Sequence, residues 1–319
     1  MALTFVNLKD SIVLSVAREQ LSDWCRDNLG SPVGEYLFEH VHLSVAAGVR
    51  LADGSEVVVK VRPFAERLHG CFEVQKHLHG RGFPCPEPLV APTPLGALTA
   101  TAERLVPGGA LLAAREGAPA LFAAALARLV GAAPAVADVS SLAPAPPWIG
   151  WDHDDTRTWP EPDDLDVDLN ETPGPRWLDT TADRVRARLA ASDLPDVVGH
   201  GDFESQNTRW RGNELLVVHD WDSAVSRPEA ALAGQASAVF GVTGNPGDTP
   251  LLSESEEFLN AYAVARGRPW TAEEYEVAWS AGLWVLVFNA KKETVTVEGG
   301  PGYTHLAGEV AERLRLAGA

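Results

Sequence analysis

The order of apolar periodicities along the chain predicts an α+β protein of two lobes. Three observations carry this expectation. An Asp-Gly turn at Ala52-Asp53-Gly54-Ser55 joins two apolar runs, Ala46 to Leu51 and Glu56 to Val61, which is the pattern of an antiparallel hairpin. Runs with helical three- and four-residue spacing flank that hairpin on both sides. After Gly109 the composition turns alanine- and leucine-rich, and from about Glu229 onward the spacing is mainly helical. The expected division is an N-terminal lobe over 1–105, an antiparallel sheet with a packed helix, and a mainly helical C-terminal lobe over 106–319.

Taken in order, residues 11–29 read as a helix through Val13, Ala17, Leu21 and Trp24, with Gly30 as its stop signal. Glu35 to Ser44 alternates loosely and precedes the hairpin. Helical spacing returns over 64–79 through Phe64, Leu68, Phe72 and Leu78, and Gly80, Gly82 and the prolines at 84, 86 and 88 end it. Residues 89–106 hold two short strands, Leu98 to Leu105 the better. Leu111 to Val130 reads as one long buried helix. Thr180 to Ala191 reads as a helix capped by Thr180 with Asp183 three residues on. Val197-Val198 and Leu215 to Val218 are short apolar stretches, each feeding a charged motif. Ser253 with Glu256 and Thr271 with Glu274 have capping-box spacing.

With 319 residues, 45% hydrophobic and 22% charged, the chain can bury a sizeable core. No apolar run approaches the length of a membrane span, and the start, Met1 to Val13, lacks the pattern of a secretory signal. A cytoplasmic location is the default expectation. The formal charge of −18 repels nucleic acid and anionic membrane and draws in cations. Cys25, Cys71 and Cys85 show neither disulfide-framework nor metal spacing and are read as reduced thiols.

The chemistry concentrates in His200-Gly201-Asp202-Phe203-Glu204-Ser205-Gln206-Asn207 and in Val217-Val218-His219-Asp220-Trp221. A strand end presents Asp202 on a tight turn at Gly201, and Asn207 follows in the same loop. A hairpin through Arg211-Gly212-Asn213 returns the chain, so that Asp220 emerges at the end of the next strand. Two carboxylates and an amide can then meet at one loop edge. Phosphoryl transfer uses such a set. One carboxylate orients the attacking hydroxyl and takes its proton, while a second carboxylate and a neutral oxygen hold Mg2+ against the phosphates.

These two motifs resemble the signature of the aminoglycoside phosphotransferases and their relatives, among them the choline, homoserine and macrolide kinases. The family pattern is His-Gly-Asp, four residues, Asn, then Asp-Trp or Asp-Phe about a dozen residues on; Asn207 and Asp220 are 13 apart. The resemblance implies a protein-kinase-like fold, with Asp202 as catalytic base, Asn207 and Asp220 as ligands to Mg2+, and ATP or GTP as donor. It also implies that Lys60, in the apolar strand Glu56 to Val61, anchors the phosphates and is held by a helix glutamate. Glu73 matches that glutamate through Leu78, Gly82 and Pro84-Cys85-Pro86, while Glu66, two turns earlier, is the alternative. Lys60 alone also reads as an exposed lysine of an edge strand. Glu103 to Gly108 resembles the inter-lobe hinge, where the backbone of Glu103 to Leu105 would receive the base. The family-like matches run from about 50 to 270. One part departs: Glu39 to Ala46, where a loop over the phosphates is expected, has no glycine before Gly48.

Between Asp152 and Glu171 lie nine acidic residues and one arginine. A carboxylate-rich pocket there suits a hydroxylated, cationic small molecule as acceptor, and Trp148, Trp151 and Trp159 could add a cation–π face; a solvated acidic loop is the plainer reading. Asp222 is a further carboxylate beside the metal position. His200 is expected to hydrogen-bond within the catalytic loop, and His219 stands where the family usually has an aliphatic residue. Two other readings use the same residues. In a phosphohydrolase, His200, Asp202, His219 and Asp220 would bind a transition metal. In a silent kinase-like module, they would bind without turnover.

Overall fold

The structure is a computed structural model that describes residues 2–7, 12–41, 43–112, 117–153, 156–244, 248–296 and 300–319. Strands β1 (Ala2–Asn7) and β2 (Ile12–Ala17) pair antiparallel, and helix α1 (Arg18–Leu29) follows. The helix expected over 11–29 therefore begins only at Arg18. Ile12, Val13 and Val16 are β-branched and favour the extended form, and Gly30 ends the helix in the left-handed conformation at φ 80°.

Five strands then form an antiparallel sheet: β3 (Val33–Val41), β4 (Val45–Leu51), β5 (Glu56–Arg62), β6 (Pro88–Leu95) and β7 (Leu98–Arg104), in the order β3-β4-β5-β7-β6. The β4–β5 turn forms as the sequence predicts. Asp53 Oδ1 accepts from the Ser55 amide at 2.9 Å and from its hydroxyl at 2.7 Å, and Gly54 takes φ 91°. Pro88, Pro92 and Pro94 are tolerated because β6 is an edge strand. In the middle of the sheet, Val57, Val59 and Val61 of β5 are fully buried. Together with Leu21, Trp24 and Cys25 of α1 they make the smaller of two cores.

Helix α2 (Arg67–Gly80) joins the other core. Its Cys71, Val74 and Leu78 pack with the C-terminal helices α3 (Ala118–Ala132), α4 (Arg176–Ala190), α5 (Glu229–Val239), α6 (Leu252–Ala265), α7 (Ala272–Thr296) and α8 (Pro301–Leu316). The helix expected from Leu111 starts at Ala118, since Gly117 is left-handed and Pro119 fits only a first turn; residues 113–116 lie outside the described residues. α4 starts at Arg176, so Thr180 is interior and caps nothing. The Thr271–Glu274 box forms with reciprocal bonds of 2.9 and 3.1 Å. At α6, by contrast, Glu254 takes the Leu251 amide at 2.8 Å, two residues earlier than the expected Ser253–Glu256 pair. The three cysteines are free and buried, and no described helix is long and apolar enough to cross a membrane.

Helices α5 and α7 cross closely enough to require glycine. A Cβ on Gly234 would stand 1.9 Å from the Ala278 carbonyl oxygen, and one on Gly282 would stand 2.7 Å from the Gly234 oxygen. Gly131, exposed near the end of α3, has open space around it. Gly234→Ala is expected to lower stability by about 2–4 kcal/mol through backbone displacement, whereas Gly131→Ala should add a few tenths to about 1 kcal/mol. Urea melts of the two variants check the opposite signs.

Candidate active site

The catalytic loop is fixed by two short antiparallel pairs. Strand β8 (Asp196–His200) pairs with β11 (Ala224–Pro228), and β9 (Thr208–Arg211) pairs with β10 (Glu214–Val218). The first pair sets the loop from Gly201 beside the segment that follows Asp220, where the Gly201 amide donates to the Ser223 carbonyl at 2.7 Å. The second brings Asn207 beside His219, whose amide donates to the Asn207 carbonyl at 2.7 Å. The chain after β7 is stitched to the same region. Ala110 and Trp210 exchange backbone bonds of 2.9 and 2.8 Å, and Ser205 Oγ donates to the Leu112 carbonyl at 2.9 Å.

The side chains converge as the motif spacing predicts. Asn207 Nδ2 donates to Asp202 Oδ2 at 2.8 Å and to the Asp202 carbonyl at 2.9 Å. This turns the amide oxygen of Asn207 away from Asp202, a neutral oxygen that could hold a cation. Asp220 is the only non-glycine residue of positive φ among the described residues, at 60°. Local strain of this kind persists where surrounding contacts impose it. Ser223 Oγ donates to Asp220 Oδ2 at 3.2 Å, and Lys60 Nζ donates to Asp220 Oδ1 at 3.4 Å. Lys60 is thus no exposed edge residue: β5 is interior to the sheet, and its ammonium points at the Asp220 carboxylate.

His200 is fully buried and holds both halves of the site. Its Nε2 bonds the His219 carbonyl at 3.0 Å, and its Nδ1 accepts the Asp202 amide at 3.2 Å. These partners specify the neutral Nε2–H tautomer, and burial keeps the ring uncharged by lowering its pKa. Burial also pulls His219 down to about 4. The two aspartates are pushed apart. Asp202 is raised to about 7, first by burial and then by the charge of Asp220, with the Asn207 amide opposing. For Asp220, burial acts upward but is outweighed by the charges of Lys60 and Arg62 and by the Ser223 hydroxyl, so its carboxyl lies below the usual range. Glu204, hydrogen-bonded by Gln206 at 2.8 Å, is held well above its usual range by burial and then by Asp202.

The structure does not bring either candidate glutamate to Lys60. Glu73 is exposed and accepts from the Ser140 amide at 2.6 Å and hydroxyl at 3.0 Å, while Glu66 is exposed just before α2. The face of α2 that lines the pocket around Lys60 carries Leu68, Cys71, Phe72 and Gln75. The cause is the seating of α2. Gly70 lies directly on the Ser140 and Ser141 carbonyls, where a Cβ would come within 2.5 and 2.9 Å, and this turns Glu73 to the opposite side. Glu103 is buried at the back of the same pocket, where Gln75 Nε2 donates to its Oε2 at 2.9 Å. The Leu105 amide is committed to the Glu56 carbonyl at 3.1 Å, which removes it as a donor to a base. Of the loop expected over the phosphates, His42 lies outside the described residues; Phe38 lies across Gly48, the first glycine, where a Cβ would meet its ring at 2.1 Å.

The acidic segment is folded down rather than free. Asp152 pairs with Arg227 at 2.5 Å, Asp164 with Lys292 at 2.5 Å and Asp168 with Arg157 at 2.5 Å; Asp154 and Asp155 lie outside the described residues. Trp151 and Trp159 do not form an open cation–π face. They are 6% and 1% exposed, with Arg227 and Lys291 of the chain itself over their rings. Trp148 instead donates its Nε1–H to the Gly201 carbonyl at 2.7 Å, a support for the catalytic loop that composition could not reveal. The charges of Asp163 and Lys292 both act on Asp202, so this segment borders Asp202.

The family model described as the phosphotransferase enzyme family matches residues 47–231. The chain belongs to that family. Its fold is that of solved family structures. A thermostable mutant of aminoglycoside phosphotransferase APH(4)-Ia, in ternary complex with ADP and hygromycin B, aligns at TM-score 0.55 and 15% identity over 94% of this chain and 99% of that one. The amicoumacin kinase hAmiN, in complex with AMP-PNP, Ca2+ and Ami, aligns at 0.58 and 11% over 89% and 86%. A choline/ethanolamine kinase family protein from Mesorhizobium loti aligns at 0.53 and 16% over 94% and 95%. No curated protein matches the chain in sequence.

A carboxyl with a raised folded-state pKa contributes full stability below its ordinary value of 3.8, and this is lost as pH rises through about 7. Asp202→Asn should therefore raise the melting temperature of the metal-free protein, measured in EDTA, and the gain should grow from pH 5 to pH 8. An equal gain at both pH values, or a loss at pH 8, contradicts the buried, desolvated carboxyl.

Proposed function

We propose that this phosphotransferase moves the γ-phosphate of ATP or GTP to a hydroxyl of a small cationic molecule, with Asp202 as the base. The observation that carries the reading is the convergence of Asp202, Asn207, Asp220 and Lys60 on one edge, through 2.8 Å and 3.4 Å contacts, from three separate segments: the loop after β8, the turn after β10 and strand β5. The hydroxyl oxygen bonds to the γ-phosphorus as the bond to the β–γ bridging oxygen breaks. The hydroxyl proton passes to Asp202, and the nucleoside diphosphate leaves. The Asn207 amide fixes one oxygen of Asp202, so the other faces the acceptor. Burial raises the basicity of that oxygen into the range useful near neutral pH.

The Asp220 carboxylate and the Asn207 amide oxygen are hard donors of the type Mg2+ takes. An ion held there would neutralise charge on the phosphate oxygens. Lys60, now on Asp220, is within reach of a phosphate placed between them. Support for a cationic acceptor comes from the charge of −18 and from Asp163, whose charge acts on Asp202. The nucleotide complexes among the related structures are consistent with a nucleotide donor. A transition-metal hydrolase fits less well. Both nitrogens of His200 are engaged in its neutral, buried ring, and among the described residues no three His, Cys, Asp or Glu side chains cluster as a metal site.

Thermal melts with ATP or GTP, with and without Mg2+, test the donor site. A ligand at a hundred times its Kd adds roughly 2.7 kcal/mol, a shift of a few degrees that should need Mg2+ and vanish in Asp220→Ala. No shift with either nucleotide overturns the reading. An acceptor screen tests the charge: amino alcohols should be phosphorylated, and turnover of neutral or anionic alcohols alone would remove the cationic assignment.

A further inference from the structure

Lys60 and Arg62 are two apart on β5, so both face the same way, about 6.6 Å from one another along the strand. Opposite them, Asp220 and Asp222 flank Trp221 in the tight turn Trp221–Ser223. The four charges form two rungs. Lys60 Nζ lies 3.4 Å from Asp220 Oδ1, and the Arg62 guanidinium pairs with the Asp222 carboxylate. Arg62 is 7% exposed, and its Nη2 also donates to Thr101 Oγ1 at 3.3 Å. A guanidinium so deeply buried needs a carboxylate, and α2 supplies none on this face. Arg67 of α2 holds the same turn from its other side, donating to the Asp222 carbonyl at 2.5 Å, to the Ala224 carbonyl at 2.7 Å and to the Leu142 carbonyl at 3.2 Å.

The two rungs differ in what a nucleotide does to them. Phosphates entering the site compete with Asp220 for Lys60. Arg62, set deeper, keeps Asp222. We propose that Arg62 is a positioning residue: through Asp222 it holds the turn that carries Asp220 in register with Lys60, a task that no glutamate of α2 performs in this chain. The proposal rests on the phosphotransferase reading of the site. Arg62 touches neither nucleotide nor ion, and it acts by fixing the backbone that presents Asp220.

The experiment is titration calorimetry of the full chain with ATP, in Mg2+ and in EDTA, for wild type, Arg62→Met, Arg62→Lys, Asp222→Asn and the double variant Arg62→Met with Asp222→Asn; GTP replaces ATP if wild type prefers it. Circular dichroism and melting curves establish that each variant is folded. Arg62→Met and Asp222→Asn should each weaken binding in Mg2+ by about tenfold, with the double variant no weaker than either single one, as for two groups acting as a unit. Binding in EDTA should stay within about twofold of wild type. Arg62→Lys should recover part of the loss, which a purely steric role would not allow. Should Arg62→Met fail to fold, Asp222→Asn and Arg62→Lys carry the same test. Arg62→Met that binds in Mg2+ like wild type overturns the proposal. So does Asp222→Asn that loses all Mg2+ dependence while Arg62→Met keeps it, because Asp222 would then be a direct metal ligand. A wild type that binds neither nucleotide in Mg2+ overturns the phosphotransferase reading itself, and is told apart from the other two outcomes by wild type alone.

Discussion

His200, fully buried at the end of β8, joins the amide of Asp202 to the carbonyl of His219 through its two ring nitrogens. The rest of the site depends on that bridge. The strand pairs bring two loops into the same neighbourhood, but the imidazole fixes the residue before Asp220 against Asp202. Phe203 and Trp221 pack edge-on to the ring, at 6.2 and 5.4 Å between centroids, and seal it from water. An imidazolium could not accept the Asp202 amide at Nδ1, so the arrangement requires the neutral ring that burial enforces.

Around this bridge the two cores divide the labour. The sheet, with α1 on it, carries Lys60 and Arg62, whereas α2 is built into the core of the C-terminal helices. Gly70 on the Ser140 and Ser141 carbonyls, Glu73 on Ser140 and Arg67 on the 222 and 224 carbonyls fasten it there. A helix held so firmly to one lobe is poorly placed to carry the glutamate that would track Lys60. The charges of β5 are met by the turn at Asp220–Asp222 itself. Direct pairing between sheet and turn makes the spacing of Lys60 and Arg62 on one strand face matter more than the sequence of α2.

Much of this was legible in the sequence where local chemistry dictates structure. The β4–β5 turn follows from Asp53 and Gly54, the Thr271 cap from its reciprocal partner Glu274, and the convergence of Asp202, Asn207 and Asp220 from the spacing of two strands and a hairpin. What escaped was set by rotation and burial. The rotation of α2 is decided by Gly70 meeting a loop seventy residues away, so Glu73 and Glu66 were matched by spacing but face elsewhere. Trp151 and Trp159 read as ligand-facing among carboxylates, yet large apolar area draws them into the core, where they take cations from the chain itself. Arg62 gave no sign of its role. A strand arginine two residues after a lysine is ordinary until Asp222 is seen across from it.

In the proposed reaction Asp202 takes a proton from an acceptor hydroxyl while the γ-phosphoryl group moves. Incubation with nucleotide labelled at the γ-phosphate, in the presence of pooled amino alcohols, follows the label directly. Label should appear on an organic acceptor, only with Mg2+, and its rate should fall by about 10²–10⁴-fold in Asp202→Ala, the usual worth of a general base. Label found solely as inorganic phosphate, at a rate that Asp202→Ala leaves unchanged, would contradict the account.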